Sequence, residues 1–449
     1  MHYLMKRLSL LFLTLLSATF LAAQTDATVF SLRDAVEYAS ANNVAVRNAR
    51  VDILDAEQNV KENLSRGLPQ FNGSLDHQHF LKVPVVPLPA AFAMGDPNAP
   101  SEISFQLKNN FTAGLSARAM VFDGSFFVGL RAARASEDYF NLELENAQRR
   151  VRSQVTQSYF PVLLLKTNLA VLDNNISNLE KLQNETQAQY DAGFVEQLDV
   201  DRLTLSLRNL RTQRRNLEQQ AENALRALKY VLNYPLDQPL SVEDDLDALE
   251  LDVEVTALEG DIAFTDRPEI RLLDKTLDLQ DLNVELQKSA YLPTAYASLS
   301  GQYQFQGDRL RTGEEPGDGF WAPTVVAGLS VSIPIYDFGG RSARVERAKL
   351  AKIKIQNQRE DLQRGIQLEV LNARGTFRTA ATQLSEQREN LELAERIYET
   401  TQIKYREGVG SSIETVQAEQ QLYESQANFL NALYEALVAR EELLLALGR

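Results

Sequence analysis

The sequence predicts a mainly α-helical protein with a β-barrel part: long coiled-coil hairpins, four transmembrane strands per chain and a tandem structural repeat. Three observations support this fold class. Apolar residues recur at heptad spacing over long stretches, which is typical of long packed helices. Four segments alternate apolar and polar residues, which is typical of strands with one wet face. The order of these segments also occurs twice.

Composition excludes several classes of function. The 449 residues carry a net charge of -15, which disfavours nucleic acid as a partner. Because cysteine is absent, there is no disulfide framework, thiol nucleophile or lipid-modified N-terminal cysteine. The sequence contains no phosphate loop, no serine-histidine-aspartate arrangement and no helix motif with metal-ligand spacing. We therefore predict neither an enzyme nor a cofactor-binding protein.

Residues 1–23 have the pattern of a secretory signal peptide. Lys6 and Arg7 precede an apolar run from Leu8 to Leu21. The alternative is a membrane anchor, but the run is shorter than the roughly 20 residues that span a bilayer. Because no later segment has a comparable uncharged run, membrane insertion after export would use strands, which points to an outer membrane.

The first repeat covers residues 24–232 and begins with a helix. Ser31 is the expected N-cap, and the sequence Gly67-Leu68-Pro69 ends the helix. Two alternating strands follow, from Phe71 to Leu81 and from Phe105 to Val121, with a proline-rich loop between them. This order predicts a helix that leads into a β-hairpin.

A long helix and its antiparallel partner complete the first repeat. The heptad pattern runs from about Phe126 to Tyr190. Pro161 lies inside it and should kink the helix or leave one backbone carbonyl without its usual partner. Gly193 follows the last turn as a C-cap, and the returning helix continues to about Leu232. These segments predict a helical hairpin.

Residues 233–265 form an acidic connector between the two repeats. From Pro235 to Gly260, aspartate and glutamate occur throughout, and lysine and arginine are absent. This composition predicts a solvated segment with little regular structure.

The second repeat covers residues 266–449 and follows the same order. Residues 267–293 align without a gap on residues 43–69, and Tyr405-Arg-Glu-Gly408 aligns on Tyr190-Asp-Ala-Gly193. Two strands, a long helix and a final helix again follow in turn. The heptad row of this long helix consists of Val370, Phe377, Leu384, Leu391, Tyr398 and Tyr405.

The number of strands predicts the assembly. One chain supplies four strands, whereas a closed transmembrane barrel has about 8 or more. Two chains would give a barrel filled by side chains, and three would give twelve strands around a lumen. We therefore expect a homotrimer.

Several motifs occur in the same order in both halves. They include the helix-to-strand junctions Leu68-Pro69 and Leu292-Pro293, the segment from Ile333 to Gly340 and the two Tyr-x-x-Gly turns. Together they resemble the TolC-type outer-membrane efflux proteins, the outer membrane factor family, over nearly the whole mature chain. The resemblance implies a twelve-stranded trimeric barrel in outer-membrane lipid and a long periplasmic helical tunnel. It also implies tips that meet a periplasmic adaptor protein and an inner-membrane pump.

The resemblance favours a channel subunit that gives a passive export duct from the periplasm to the exterior. The alternative is a structural or surface coiled-coil protein without a transport role. That alternative explains the heptads and the signal peptide, but it leaves the alternating strands and the repeat without a purpose. The sequence does not identify the exported cargo.

Two glycine turns are the candidate sites of adaptor contact. Their residues are Gly193, Phe194 and Val195 in the first repeat and Gly408, Val409 and Gly410 in the second. The alternative is that each turn is an ordinary helix stop. Their matching places in the two repeats, and the use of such tips in the family, favour the functional interpretation.

Residues near the two turns are candidates for a periplasmic gate. The resemblance places the family's constricting acid at Glu414 and a second gate position at Gln417, and we add Asp199 and Tyr405. In a trimer, one inward carboxylate per chain becomes a ring that concentrates cations. The alternative is that acids in a first helical turn only favour the helix dipole. The family often has an arginine near Gly410, which this chain lacks.

His77 and His79 share one face of a predicted strand, as a pair of metal ligands would, but no third ligand lies nearby in the sequence. We therefore predict no metal site and expect both on the outer surface of the barrel. Four aromatic residues near strand ends fit an interfacial girdle: Tyr303, Phe305, Phe320 and Trp321.

Overall fold

The structure is a computed structural model that describes residues 28–87, 102–244, 246, 264, 267–316 and 318–448. The predicted signal peptide, most of the proline-rich loop and most of the acidic connector lie outside the described residues. The helices are α1 Leu32–Asn42, α2 Val44–Ser65, α3 Gly124–Asp191, α4 Gln197–Leu232, α5 Pro268–Ser289, α6 Gly340–Arg406 and α7 Ser412–Ala446. The strands are β1 Thr28–Phe30, β2 Gln70–His79, β3 Val86–Pro87, β4 Glu102–Ile103, β5 Asn109–Asp123, β6 Leu240–Val242, β7 Thr294–Gly307 and β8 Phe320–Ser332.

The element order confirms the predicted fold class of long helical hairpins and strands in tandem. The long helices α3 and α6 have 68 and 67 residues, and at about 1.5 Å per residue each spans roughly 100 Å. The returning helices α4 and α7 have 36 and 35 residues. Helix α3 continues through Pro161, where the kink stays a prediction. The boundaries proposed for the repeats and for the connector also stay predictions.

The helix expected between Ser31 and Gly67 is in fact two helices. Asn43 adopts an extended backbone conformation between α1 and α2. Its side chain accepts a hydrogen bond from the Ala45 N–H at 2.8 Å and donates one to the Val231 carbonyl at 2.8 Å. An asparagine that satisfies nearby backbone groups in this way offers the chain an alternative to helix, which explains the break.

Contacts between residues divide the chain into two compact units. The strand unit consists of residues 51–142 and 271–361, and the helical unit consists of residues 1–50, 143–270 and 362–449. Each unit therefore contains parts of both repeats.

The strand unit contains a four-stranded antiparallel sheet in the order β2-β5-β7-β8, and β3 and β4 form a separate short antiparallel pair. Residues that oppose each other in such a sheet project from the same face. One row of the first face consists of Leu75, Ala113, Tyr303 and Pro323. One row of the other face consists of Ser74, Gly114, Gln302 and Thr324. The predicted alternation therefore gives an apolar face and a polar face.

The two outer strands of this sheet have open edges. Among the described residues, β2 pairs only with β5 and β8 pairs only with β7. Pro323 lies within β8, which suits an edge strand because proline has no N–H to donate to a neighbour.

Helices of the helical unit pack around an apolar core, to which α1 and α2 contribute the fully buried Ala35, Ala39 and Val46. Tyr159 and Leu163 of α3, Leu232 of α4 and Leu437 of α7 are almost completely buried, and Phe377 of α6 joins them. A second cluster of leucine and isoleucine side chains lies between α3 and α4, nearer to the glycine turns. The buried positions of these helices recur at heptad spacing, as expected for helices packed side by side.

Part of the acidic connector is ordered, contrary to the prediction of a segment with little regular structure. Strand β6 pairs in parallel with β1, and Leu240 and Val242 are buried. The hydroxyl group of Tyr159 donates to the Asp244 carboxylate at 2.8 Å, and that carboxylate also accepts from the Leu32 N–H at 2.7 Å. Asp244 therefore serves as a hydrogen-bond acceptor in a folded site, which its acidic surroundings in the sequence did not reveal.

Two arginines of the helical unit stabilise the C-terminal end of α7. Arg267 donates to the Leu445 carbonyl at 3.0 Å and to Glu369 at 2.9 Å. Arg149 donates to the same Leu445 carbonyl, and Glu269 forms ion pairs with both arginines at 3.2 and 3.3 Å. These cations satisfy helix carbonyls that have no partner within the helix.

Among the described residues, no helix has an apolar stretch of the length that crossing a membrane requires.

Candidate functional site

The first glycine turn, at the end of α3, is a Schellman motif. Gly193 has a φ of +80°, in the left-handed region that favours glycine. Its N–H donates to the Tyr190 carbonyl at 2.8 Å, and the Phe194 N–H donates to the Gln189 carbonyl at 2.9 Å. These two bonds satisfy the last carbonyls of α3 and fix the path of the backbone.

The second turn, at the end of α6, repeats this geometry. Gly408 has a φ of +73°, and its N–H donates to the Tyr405 carbonyl at 3.1 Å. The N–H groups of Val409 and Gly410 both donate to the Lys404 carbonyl at 3.0 Å. A Cβ atom added at Gly410 would lie 3.0 Å from the Tyr405 nitrogen, so the close approach of two backbone segments favours glycine there.

We call residues 193–195 and 408–410 the hairpin tips. Each tip exposes one large apolar side chain: Phe194 is 82% exposed and Val409 is 78% exposed. Val195 is half-buried. Each tip therefore combines a backbone fixed by hydrogen bonds with an apolar side chain in solvent. This arrangement suits docking to another protein, because little ordering is required on binding.

The helices that leave the tips begin with capping bonds. Asp199 accepts a hydrogen bond from the Glu196 N–H at 3.3 Å at the start of α4. Ser411 accepts one from the Glu414 N–H at 3.3 Å at the start of α7. The Asp199 carboxylate is thus part of a helix cap, whereas at the start of α7 the Ser411 hydroxyl group makes the capping bond. Carboxylates in a first turn, such as those of Asp199 and Glu414, also favour the helix dipole.

Polar contacts join the starts of α4 and α7. The Ser412 hydroxyl group donates to the Asp199 carboxylate, and Arg202 donates to the same hydroxyl group at 3.1 Å. Arg202 also lies 3.6 Å from Asp199 as an ion pair. Asp199, a predicted gate residue, is therefore engaged in a link between the two helices, and its role in a gate stays a prediction.

Tyr405 lies where α6 meets α3. Its hydroxyl group is 3.3 Å from the hydroxyl group of the buried Thr186, and its ring packs on the leucine cluster between α3 and α4. One residue further along, Arg406 forms an ion pair with Glu185 at 3.5 Å. These contacts hold the last turn of α6 on α3, behind the hairpin tips.

The other two predicted gate residues are exposed. Glu414 and Gln417 lie on the first two turns of α7 with their side chains in solvent. The structure does not join them to Asp199 or Tyr405. An exposed carboxyl group at this place remains available to face copies of itself in an assembly.

Sequence reasoning missed Ser412, Arg202 and Thr186, which make the contacts between the helices. A signal was present in the heptads, where buried positions carry small polar residues in place of apolar ones. Ser412 and Thr186 are 4% and 1% exposed. In a helical interface, such residues are buried because they have hydrogen-bond partners on a neighbouring helix.

The remaining candidate residues, the histidines and the aromatic residues, lie in the strand unit. The His79 ring nitrogen Nδ1 lies 2.7 Å from the Asn109 side-chain oxygen, an interstrand contact. Trp321 stacks on Tyr303 with 5.1 Å between ring centres and lies 5.4 Å from the Phe305 ring. Phe320 opposes Gln306 and so lies on the other face of the sheet, which corrects its grouping with these rings.

Comparison with known proteins gives consistent results. A sequence model of the family described as outer membrane efflux protein matches residues 35–233 and 261–449. The pyoverdine export outer membrane protein OpmQ of Pseudomonas aeruginosa is 25% identical over 350 residues, which cover 76% of this chain and 70% of that protein. The cation efflux system protein CusC of Escherichia coli is 23% identical over 343 residues, which cover 75% of this chain and 73% of that protein.

Solved structures share the fold. A crystal structure of CusC superposes with a TM-score of 0.68 at 18% identity and covers 95% of each chain. The CmeC outer membrane channel of Campylobacter jejuni gives a TM-score of 0.68 at 21% identity, with 96% of this chain and 90% of that chain covered.

Proposed function

This chain belongs to the outer membrane efflux protein family, and we propose that three copies of it form a passive duct through the outer membrane. An inner-membrane pump, joined to the duct by a periplasmic adaptor protein, supplies the energy for export. The chain itself performs no chemistry.

The observation that carries this proposal is the sheet with two open edges and one exposed apolar face. Phe71, Leu75, Leu115 and Val325 on that face are each at least 75% exposed. A large apolar surface marks contact with lipid or protein. A membrane tolerates no unpaired sheet edge, so β2 of one copy must pair with β8 of the next. Three copies of this four-stranded sheet give twelve strands.

Cysteine cross-linking tests this closure, because the natural chain contains no cysteine. Ser74→Cys on β2 is combined in turn with Thr324→Cys, Val326→Cys and Gly328→Cys on β8. Oxidation of the purified protein should join one of these pairs between copies and give dimers and trimers on a denaturing gel. The single-cysteine variants serve as controls. If every pair left only monomers while the protein remained membrane-inserted, the twelve-stranded assembly would be wrong.

The exposed apolar residues of the hairpin tips support contact with the adaptor. Phe194→Asp and Val409→Asp should each remove adaptor co-purification, because a carboxylate would have to be desolvated at the interface. The control is Leu310→Asp, at another large exposed apolar residue, in a loop of the strand unit. Equal adaptor recovery with all three variants would contradict the assignment of the hairpin tips.

We further propose that Glu414 contributes one carboxylate per chain to an acidic ring, with Gln417, Asp199 and Tyr405 beside it. Such a ring concentrates cations and opposes anions. In planar bilayers under a salt gradient, Glu414→Gln should move the reversal potential towards that of an unselective pore. Glu424→Gln, at an exposed acid further along α7, is the control. An unchanged reversal potential in Glu414→Gln would place the constriction elsewhere.

In this arrangement the inner-membrane pump, and not the duct, selects the cargo. A passive duct discriminates by width and charge alone. Relatives with names as different as pyoverdine export and cation efflux agree with this division of roles.

A further inference from the structure

Glu419 lies at a buried position of α7 and is 0% exposed. The face of α7 that is buried near the hairpin tips consists of Ser412, Thr415, Ala418, Glu419 and Leu422. This spacing is that of a heptad seam, where apolar residues are expected. Because a buried carboxyl group costs free energy unless it is paired, Glu419 calls for an explanation.

The hydrogen bonds of this carboxyl group are incomplete. Its Oε1 atom accepts a hydrogen bond from the Tyr423 hydroxyl group at 2.5 Å. Its buried Oε2 atom has no hydrogen-bond partner within the described part of the chain. Ser206 of α4 lies beside the group, and the Tyr398 ring of α6 is close enough for the two residues to influence each other. Three helices therefore meet at one carboxyl group.

Cations near this place have other partners. The titratable and charged groups on the surrounding helices include Glu180 and Glu185 on α3, Asp199, Arg202 and Arg211 on α4, Tyr398, Tyr405 and Arg406 on α6, and Tyr423 on α7. Arg211 pairs with Glu180. Arg202 pairs with Asp199, and Arg406 pairs with Glu185. Tyr398 and Tyr423 have raised pKa values because of burial and the nearby Glu419, so both stay neutral at physiological pH.

Burial raises the pKa of Glu419 from 4.5 to about 7, although the hydrogen bond from Tyr423 and the nearby hydroxyl group of Ser206 lower it in part. With its proton, the carboxyl group is neutral and fits the packed helices. Without its proton, it places a negative charge at a buried position, while the nearby arginines pair with other carboxylates. Separation of the helices would let water reach that charge.

We propose that Glu419 is a proton-binding latch that holds the first turns of α7 against α4 and α6. Proton binding favours the packed helices, and proton release favours their separation next to the hairpin tips. The latch is a property of helix packing and does not require transport. If the duct proposed above is correct, the latch links the width of the duct behind its tips to the pH around it.

Hydrogen-deuterium exchange of the purified full-length protein tests the latch. The readout is protection of the backbone amides from Thr415 to Glu424, with exposure times scaled to the intrinsic exchange rate at each pH. A pKa of about 7 when packed and 4.5 when open implies that protection falls about tenfold between roughly pH 6 and pH 8.5.

Three variants make this result specific. Glu419→Gln removes the titrating group and should abolish the pH dependence. Tyr423→Phe keeps the ring but removes a hydrogen bond that favours the ionised form, so the transition should move to higher pH. The control is Glu424→Gln, at an exposed position of the same helix, which should behave as the natural protein does.

Two outcomes would overturn the latch. One is pH-independent protection of these amides in the natural protein, and the other is the same pH dependence in Glu419→Gln. Conductance and oligomeric state are measured on the same samples. A protein that forms trimeric pores but fails the exchange test would reject the latch alone, and the reverse result would reject only the duct.

Discussion

Replacement of Arg267 by alanine should release the C-terminal end of α7. The Arg267 side chain is 5% exposed and donates to the Leu445 carbonyl and to Glu369, as well as pairing with Glu269. Without it, Glu369 would lose its partner, and the Leu445 carbonyl and Glu269 would keep only Arg149 as a cationic partner. Because Glu269 and Glu369 are 33% and 46% exposed, the cost should lie below that of a fully buried pair, at about 1.5–3 kcal/mol. The last turn of α7 should lose stability of that size.

The assay is amide hydrogen exchange of the last turns of α7 in the assembled protein. A loss of about 1.5–3 kcal/mol corresponds to roughly 10- to 150-fold faster exchange when opening is local. Arg267→Lys should give a smaller effect, because lysine keeps the charge but lacks the planar set of donors. The control Arg226→Ala removes an exposed ion pair with Glu222 and should cost less than about 1 kcal/mol.

The reasoning would be refuted if Arg267→Ala and Arg226→Ala changed the exchange of α7 equally. Dependence on pH gives a second check. Burial raises the pKa of Glu269, but its backbone hydrogen bond and the cations Arg149 and Arg267 outweigh burial and lower it below 4.5. The stabilisation is therefore complete at neutral pH and is lost as the pH falls through this lowered pKa.

Three further predictions concern single side chains. Tyr159→Phe should lower the free energy of unfolding by about 1–3 kcal/mol, because the half-buried Asp244 carboxylate loses a hydrogen-bond donor. The measurement is thermal unfolding, and an unchanged melting temperature would contradict this expectation. Gly408→Ala should destabilise the protein by about 1–2 kcal/mol, because Gly408 has a positive φ. Gly375→Ala in the middle of α6, where an added Cβ atom meets open space, should instead stabilise it by up to about 1 kcal/mol. Equal changes in unfolding free energy for the two variants would exclude backbone strain at Gly408 as the cause. Glu419→Gln should stabilise the folded protein by about 3 kcal/mol above pH 7, and this gain should vanish as the pH falls towards 4.5. The measurement is denaturant unfolding at several pH values. A gain that does not depend on pH would be inconsistent with a titrating carboxyl group.

Elements with a long regular pattern were predictable from the sequence. Alternation of apolar and polar residues predicted the two faces of β2, β5, β7 and β8, and heptad spacing predicted the long helices. Both signals lie within the element itself. The pairing of β1 with β6 was not predictable, since it joins Thr28 to Leu240 across most of the first repeat. The break at Asn43 was also missed, because apolar spacing continues on both sides of it.

The candidate site likewise contains some features that were predictable from the sequence and others that were not. The Schellman turns follow from glycine at Gly193 and Gly408, since the left-handed conformation is a local requirement. The link between Asp199 and Ser412 joins the two repeats, so no local pattern shows it. Glu419 could have been found, because a carboxyl group in a heptad register that contains Leu422 is itself unusual.

The contrast between two parts of the helical unit suggests where its helices separate first. Around Tyr159, Leu163 and Leu437 the contacts are apolar and almost completely buried, so separation there would expose a large hydrophobic surface. Behind the hairpin tips, α4 and α7 meet through Asp199, Ser412 and the carboxyl group of Glu419. Polar groups lose little when water replaces their partners, and an ionised Glu419 gains from it. Opening that begins at the tips therefore costs less than opening at the core, and a single proton changes that cost.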